Sequence, residues 1–174
     1  IFLTFLFLIL AKKPAGGLIS PFIKPDLKKV VEDVLYQTQG RYAVVIKNLK
    51  TGESYFRSEN EKFDPGSLYK LKLMVLVFEQ INEGKLMEDD SLPADIEQIN
   101  NYFDIPEESA ELKEGTINFT IRTALEQMIT ISHNYAALAL TKKIRANNLA
   151  EAVTAAEIAT FFENLYQGKI IDVD

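Results

Sequence analysis

A nearly continuous apolar segment follows a Pro-Gly break and determines how the rest of the chain must pack around it. In "DPGSLYKLKLMVLVFEQINEGKL" (residues 64–86), apolar side chains surround almost the whole circumference of a helix that we predict over residues 68–83. Gly84 provides its C-terminal stop. A helix of this kind is buried on most sides, with Lys72 marking its predicted exposed edge.

Two polar side chains, Ser67 and Lys70, lie at the start of this helix and project to the same side. Free backbone N–H groups and the positive end of the helix dipole lie there. Desolvation and positive charge lower the pKa of a lysine, so that it can accept a proton from a serine hydroxyl. Ser67 is therefore a candidate nucleophile. The alternative is that Ser67 caps the helix while Lys70 extends to water.

A second polar pair, Ser132 and Asn134, lies between amphipathic helices predicted over residues 120–131 and 134–144. A hydroxyl at such a break can relay a proton to a departing nitrogen, and a carboxamide can bind a substrate amide. The alternative is that Ser132 or Asn134 caps the following helix, which is the commoner use of these residues.

The remaining pattern predicts an α+β fold. A helix is predicted over residues 26–36, a β-hairpin over 42–57 with its turn at 48–52, and a final helix over 154–171 that Gly168 ends. Residues 87–115 are polar and are predicted to be irregular. A lone hairpin is marginally stable in water, so we expect its sheet to contain further strands, although the sequence after it offers no good candidate.

Composition and charge exclude several classes of function. With 19 Lys and Arg against 25 Asp and Glu, the net charge is -6, and no basic cluster is present that could bind nucleic acid. Cysteine is absent and His133 is the sole histidine, so we expect neither a metal site nor a cofactor. No heptad pattern is present, which favours a monomer.

The first 25 residues differ from the rest. "IFLTFLFLIL" (residues 1–10) is apolar except for one Thr, but ten helical residues rise only about 15 Å, which is too short to cross a bilayer. It resembles the tail of a signal peptide or membrane anchor, followed by a linker up to residue 25. We therefore predict an exported protein, periplasmic or extracellular, with a domain over residues 26–174. The alternative is that residues 1–10 form a buried helix or strand.

Together the two motifs resemble those of the penicillin-recognising serine hydrolases, and most closely the class A β-lactamase-like branch. "PGSLYKLKLMVLVFEQINEGKL" and "LEQMITISHNYAALALTKKI" are similar to the first two motifs of that family. The hairpin resembles its first two strands, and residues 154–172 resemble the helix after its active-site loop. The resemblance implies a β-lactamase/transpeptidase-like fold, with a helical region packed beside an antiparallel sheet region and the site between them.

The resemblance also implies a role for each residue of the two pairs. Ser67 would be the acylated nucleophile and Lys70 its base or proton relay. Ser132 would pass a proton to the β-lactam nitrogen, and Asn134 would hold the substrate's side-chain amide. The substrate would be a β-lactam or a peptide resembling those of peptidoglycan. Acyl transfer to Ser67 would be followed by hydrolysis of the ester.

The chain departs from the family pattern at three places. His133 stands where class A β-lactamases usually have Asp. The loop whose Glu activates the deacylating water is missing near residues 149–153, and neither Glu151 nor Glu157 has its sequence context. The only "KTG", at residues 50–52, lies in the hairpin turn, before the nucleophile, and the chain ends before the later strands. We therefore expect a partial chain with an incomplete sheet.

These departures leave three functions open. The first is a β-lactam-hydrolysing serine hydrolase. The second is a penicillin-binding or D-Ala-D-Ala peptidase-like protein that is acylated without efficient turnover. The third is a catalytically inactive remnant that acts as a binding module. Because the loop Glu is missing, we predict weak or absent turnover by this chain.

Overall fold

The computed structural model describes residues 26–36 and 38–170, so the signal or anchor segment predicted for residues 1–25 lies outside the described residues. Of the described residues, 26–36, 38 and 39 belong to one unit and 40–170 to another. Helix α1 (Leu27–Tyr36) belongs to the first unit and confirms the helix predicted there. None of the helices within 26–36 and 38–170 combines the length and the apolar character needed to cross a membrane.

The second unit mixes helices with short antiparallel strands, which confirms the α+β prediction. Its helices are α2 (Tyr69–Asn82), α3 (Ile96–Tyr102), α4 (Ile121–Thr130), α5 (Asn134–Ile144) and α6 (Ala155–Tyr166). Its strands are β1 (Val44–Lys47), β2 (Ser54–Arg57), β3 (Lys62–Phe63), β4 (Ser91–Asp95), β5 (Thr116–Thr120) and β6 (Val153–Thr154).

The strands form three separate two-stranded ribbons, β1 with β2, β3 with β6 and β4 with β5. Within residues 38–170 the β1–β2 hairpin gains no third strand, which confirms the incomplete sheet that we predicted. In the hairpin turn the Gly52 N–H donates to the Asn48 carbonyl at 2.8 Å, and Gly52 has a φ of +76°. The Lys-Thr-Gly segment thus serves a tight turn, as predicted.

Residues 87–115 are not irregular throughout, and that prediction is wrong for β4 and α3. Strand β4 alternates buried Leu92 and Ala94 with exposed residues. Its central Pro93 is tolerated because a strand of a two-stranded ribbon has one edge without a partner. Asp95 then starts α3 by accepting a hydrogen bond from the Gln98 N–H at 2.9 Å.

The apolar core lies where α2, α3, α4 and α5 pack with the β4–β5 ribbon. On α2, Leu73 and Val77 are fully buried, whereas Met74 and Phe78 are only partly buried against the core. The prediction that α2 is buried on most sides is thus only partly met within the described residues. Lys72 lies on the exposed edge, as predicted, and its side chain is 51% exposed.

Helix α6 begins with a capping box. The Thr154 hydroxyl accepts from the Glu157 N–H at 3.1 Å, and the Glu157 carboxylate accepts from the Thr154 N–H at 2.7 Å. The helix ends at Tyr166, before the predicted end at residue 171, because Gly168 adopts a left-handed conformation. Glu163 forms a 2.7 Å ion pair with Lys47, which joins α6 to β1.

Candidate active site

Ser67 lies in a single 3-10 turn (Gly66–Leu68) that leads into α2. The turn depends on Gly66, which has a φ of +48° and whose N–H donates to the Asp64 carboxylate at 2.9 Å. The N-cap residue of α2 is Leu68, and no side chain caps this helix. The alternative that Ser67 is a helix cap is therefore wrong. Ser67 is an exposed residue, and its hydroxyl caps no helix.

Lys70 is the buried cation of the site, with only 2% of the residue exposed. Its ammonium donates to the Ser132 carbonyl at 2.6 Å, the Ser132 hydroxyl at 2.9 Å and Asn134 Oδ1 at 2.7 Å. All three N–H groups thus have acceptors, and the alternative that Lys70 extends to water is wrong. Burial lowers the pKa of Lys70, and the negative charge of Glu111 opposes this effect.

Ser132 lies at the break between α4 and α5 in a left-handed conformation, with a φ of +57°. This backbone is uncommon for a residue other than Gly, Asn or Asp, and it is a form of strain that is often found at functional sites. The Ser132 hydroxyl donates to the Ser67 hydroxyl at 3.0 Å. Ser132 therefore contacts Lys70 through its carbonyl and its side chain, and Ser67 through its side chain.

The N-cap of α5 is His133, which stands between the two predicted site residues. Its Nδ1 accepts from the Ala136 N–H at 3.3 Å, and its ring meets the Phe119 ring edge-on at 5.5 Å. The alternative that Ser132 or Asn134 caps α5 is therefore wrong. Because His133 performs the capping, the side chains on either side of it are free to face Lys70.

These contacts form one chain of hydrogen bonds that runs from Ser67 through Ser132 to Lys70 and on to Asn134. Among the described residues, no hydrogen bond joins Lys70 directly to Ser67, so the short proton path between them passes through the Ser132 hydroxyl. The two hydroxyls and the carboxamide are exposed while the amine is buried. Such an arrangement can activate a hydroxyl toward a substrate that approaches from solvent.

Glu111 is a further member of the site that the sequence did not suggest. Its carboxylate accepts a hydrogen bond from Asn134 Nδ2, at the end of the carboxamide opposite the oxygen that faces Lys70. Glu111 lies in an acidic segment without periodicity, so nothing in the sequence distinguishes it from Glu107, Glu108 or Glu114. Only the packing of this segment beside the start of α5 reveals its contact.

The glutamates in and near residues 149–153 form contacts away from Ser67. The side chain of Glu151 is 70% exposed, and its carboxylate lies 4.0 Å from the Lys72 ammonium. The Glu157 carboxylate accepts from the Thr154 N–H in the capping box of α6. Among the described residues, no carboxylate hydrogen-bonds to Ser67. Nor do residues 26–36 and 38–170 hold three or more His, Asp or Glu side chains placed to bind a metal ion.

Comparison with known proteins identifies the family. The family model described as the beta-lactamase enzyme family matches residues 26–153, which is most of the chain. The chain belongs to the beta-lactamase enzyme family. This membership confirms the resemblance inferred from the two motifs. No match was found among curated proteins.

Solved structures support the same β-lactamase/transpeptidase-like fold. PBP-A superposes with a TM-score of 0.65 at 18% identity over 83% of this chain and 63% of that chain. A mutant of PBP-A, solved as an acyl-enzyme complex with penicillin G, gives the same TM-score of 0.65.

Two bacterial β-lactamases are equally similar. The β-lactamase from Chitinophaga pinensis DSM 2588 has a TM-score of 0.66 at 15% identity, over 83% of this chain and 64% of that one. The β-lactamase from Sphaerobacter thermophilus DSM 20745 has a TM-score of 0.68 at 18% identity, over 84% and 65%. The chain thus spans less than two thirds of the length of these family members.

Proposed function

We propose that the protein is a serine hydrolase of the β-lactamase type, in which a β-lactam or a peptidoglycan-like peptide acylates Ser67. The observation that carries this proposal is the hydrogen-bonded chain from the exposed Ser67 hydroxyl through Ser132 to the buried Lys70 amine. A serine at the end of such a chain can lose its proton at the moment when it attacks a carbonyl carbon.

In the proposed reaction Lys70 first releases a proton to solvent, a change that burial favours by lowering its pKa. The hydrogen bonds between Nζ and the two hydroxyls then reverse, so that Ser67 donates to Ser132 and Ser132 donates to Nζ. The Ser67 proton passes to Ser132 and the Ser132 proton passes to Nζ, while Ser67 Oγ forms a bond to the carbonyl carbon. The C–N bond of the β-lactam then breaks, and its nitrogen takes a proton from Ser132. Lys70 returns its proton to Ser132, so that an ester on Ser67 and an N–H group are the products.

Asn134 is the proposed contact for the acylamide side chain of the substrate. Its exposed carboxamide lies beside Ser132, and its two polar ends face Lys70 and Glu111. A substrate whose acylamide side chain binds Asn134 would have its β-lactam ring close to Ser67, because Asn134 and Ser67 are joined through Lys70 and Ser132. Orientation of this kind supplies much of the rate of an acyl transfer.

We further propose that the acyl-enzyme is hydrolysed slowly, as in a penicillin-binding protein. This second candidate is favoured because Glu151 and Glu157 have other partners and no carboxylate in the described part of the chain hydrogen-bonds to Ser67. Without a base beside the ester, water is a poor nucleophile at neutral pH.

The test is to incubate the protein with a fluorescent penicillin and to measure its intact mass. We expect one adduct that persists after dilution, is absent in Ser67→Ala, and is retained in Ser109→Ala, a matched change at an exposed serine far along the chain. Rapid, sustained, Ser67-dependent hydrolysis of a chromogenic cephalosporin would contradict slow deacylation. A folded wild-type protein that forms no adduct would refute the acyl-transfer proposal.

We also propose that the protein acts as an exported monomer, with or without a retained anchor at residues 1–25, and that its catalytic domain comprises residues 26–174. The apolar character of residues 1–10 and the cell-wall nature of the proposed substrates support this proposal. Fractionation of expressing cells and size-exclusion chromatography test it. A cytoplasmic protein or a stable dimer would contradict the respective parts.

A further inference from the structure

We propose that Glu111 is a positioning residue of this site, which holds the Asn134 carboxamide so that its oxygen faces the Lys70 ammonium. The inference rests on the proposed acylation of Ser67 and deepens it. Glu111 does not touch the reacting atoms. It acts through Asn134, which in turn supplies one of the three acceptors of the buried amine.

The chemistry of the two ends of the carboxamide supports this role. Asn134 Nδ2 donates to the Glu111 carboxylate, and Asn134 Oδ1 accepts from Lys70 at 2.7 Å. A carboxylate can only accept and an ammonium can only donate, so the reversed amide would face like groups at both ends. Glu111 therefore selects one of the two orientations of Asn134. Without it, solvent can replace the partner of Nδ2 and the orientation loses this restraint.

A buried network holds the segment that carries Glu111. The next residue, Leu112, accepts through its carbonyl from Asn100 Nδ2 at 2.9 Å and from the Tyr135 hydroxyl at 2.8 Å. The Leu112 N–H donates to the same hydroxyl at 3.2 Å. Asn100 and Tyr135 are only 8% and 3% exposed. Tyr135 directly follows Asn134 on α5, and Leu112 directly follows Glu111. The hydrogen bonds between Tyr135 and Leu112 therefore hold Glu111 beside Asn134.

Few charged or titratable groups face Lys70 from the elements around it. Glu111 faces it from the 104–115 segment, and the Tyr69 ring lies 5.9 Å from Nζ on α2 itself. On the α4–α5 turn, the imidazole of His133 is occupied by its cap and by Phe119. Glu111 is thus the one carboxylate among the described residues whose charge raises the Lys70 pKa against the effect of burial.

Three variants separate the charge of Glu111 from its hydrogen bond. Glu111→Gln keeps an oxygen that accepts from Asn134 but removes the charge. Glu111→Ala removes both. Glu114→Gln removes a charge from an exposed glutamate of the same segment and serves as the matched control.

The measurement is an NMR titration of Lys70, combined with solvent exchange of the Asn134 side-chain amide. We expect Glu111→Gln to lower the Lys70 pKa while Asn134 exchange stays near the wild-type rate. We expect Glu111→Ala to lower the pKa and to accelerate exchange about tenfold, as for the loss of one charge-assisted hydrogen bond. Glu114→Gln should change neither. Equal results for Glu111→Gln and Glu114→Gln, or unchanged exchange in Glu111→Ala, would overturn the proposal.

Acylation by a fluorescent penicillin provides a separate readout. If Ser67 is acylated, the rising limb of the acylation rate should move to lower pH in Glu111→Gln, and the plateau should fall about tenfold in Glu111→Ala. If wild-type protein is not acylated at all, the proposed function fails, while the NMR results still decide whether Glu111 positions Asn134. Far-UV circular dichroism of each variant checks that the fold is retained.

Discussion

Lys70 is buried, no described residue forms a direct ion pair with it, and its charge is stabilised by neutral acceptors. The Ser132 carbonyl, the Ser132 hydroxyl and Asn134 Oδ1 supply them at 2.6–2.9 Å. Hydrogen bonds to these acceptors favour the ammonium, whereas burial favours the neutral amine and lowers the pKa. A lysine poised in this way can exchange a proton with its neighbours more readily than a solvated one.

The lowered pKa of Lys70 has a consequence for stability against pH. Between the folded pKa and the ordinary value of 10.5, the unfolded chain binds the proton that the folded chain has released, so stability rises as the pH increases through this window. Below the pKa that Lys70 has in the folded chain, Lys70 carries its proton in both the folded and the unfolded state. In that range Lys70 makes no pH-dependent contribution to the free energy of unfolding. Lys70→Met should lack this alkaline rise. Urea unfolding at several alkaline pH values measures it, and an unchanged slope in Lys70→Met would contradict the assignment.

Ser132 is a residue of the candidate site with an unfavourable backbone conformation. Its left-handed backbone, with a φ of +57°, is strained for any side chain with a Cβ. We expect Ser132→Gly to be more stable than Ser132→Ala by about 1 kcal/mol, after allowing for the greater entropy of unfolded Gly. Neither should acylate Ser67 efficiently. Chemical denaturation compares the two variants, and equal stability would show that the backbone there is not strained.

At the scale of elements, the residues that cap the helices differ from the residues of the candidate site. Helices α3, α4 and α6 begin with side-chain caps from Asp95, Thr120 and Thr154. Helix α2 has no side-chain cap, which leaves Ser67 exposed, and α5 is capped by His133 rather than by its reactive neighbours. A capped helix start satisfies backbone N–H groups, so the cap at His133 stabilises the turn that presents Ser132 and Asn134.

The cap at His133 predicts an order of stability for substitutions at that position. His133→Ala removes the acceptor for the Ala136 N–H and should cost about 1 kcal/mol. His133→Asp supplies a stronger cap with a favourable charge at the helix start and should be at least as stable as wild type. Thermal unfolding of the three proteins measures this order. If Ala and Asp behaved alike, the imidazole would not be acting as a cap.

At the scale of the whole molecule, the site lies beside the buried apolar core of the second unit. Helices α2 and α5, which carry Lys70 and Asn134, contribute Leu73, Val77 and Leu140 to the same core. Each of these side chains is completely buried. Because a close-packed core resists small displacements, it holds the two halves of the site at a fixed separation.

A cavity in this core should therefore affect both folding and the site. Leu140→Ala should lower the free energy of unfolding by about 2–5 kcal/mol, a large part of the stability of an ordinary domain. Ile131→Ala is the control, since Ile131 is 68% exposed and its loss should change stability by about 0.5 kcal/mol or less. Urea denaturation gives both values. A small effect of Leu140→Ala would show that the core is loosely packed.

The sequence alone predicted α1, the β1–β2 hairpin, α2, α4 and α5. Each of these segments has apolar residues at a regular spacing that stops at its ends. It also selected Ser67, Lys70, Ser132 and Asn134, since their residue types suit acyl transfer at two helix starts. The short strands β3 and β6 carry too few residues for a pattern and exist only because Lys62 and Phe63 find partners at Thr154 and Val153.

The tertiary structure decided the rest, because contacts between distant segments leave no periodic trace in the chain. It decided that a serine caps neither α2 nor α5, that the Ser132 hydroxyl bridges Ser67 and Lys70, and that Glu111 rather than another acidic residue meets Asn134. These contacts join residues from 23 to 65 positions apart. A hydrogen bond over such separations depends on how helices pack, and packing is a property of the whole core rather than of any local stretch.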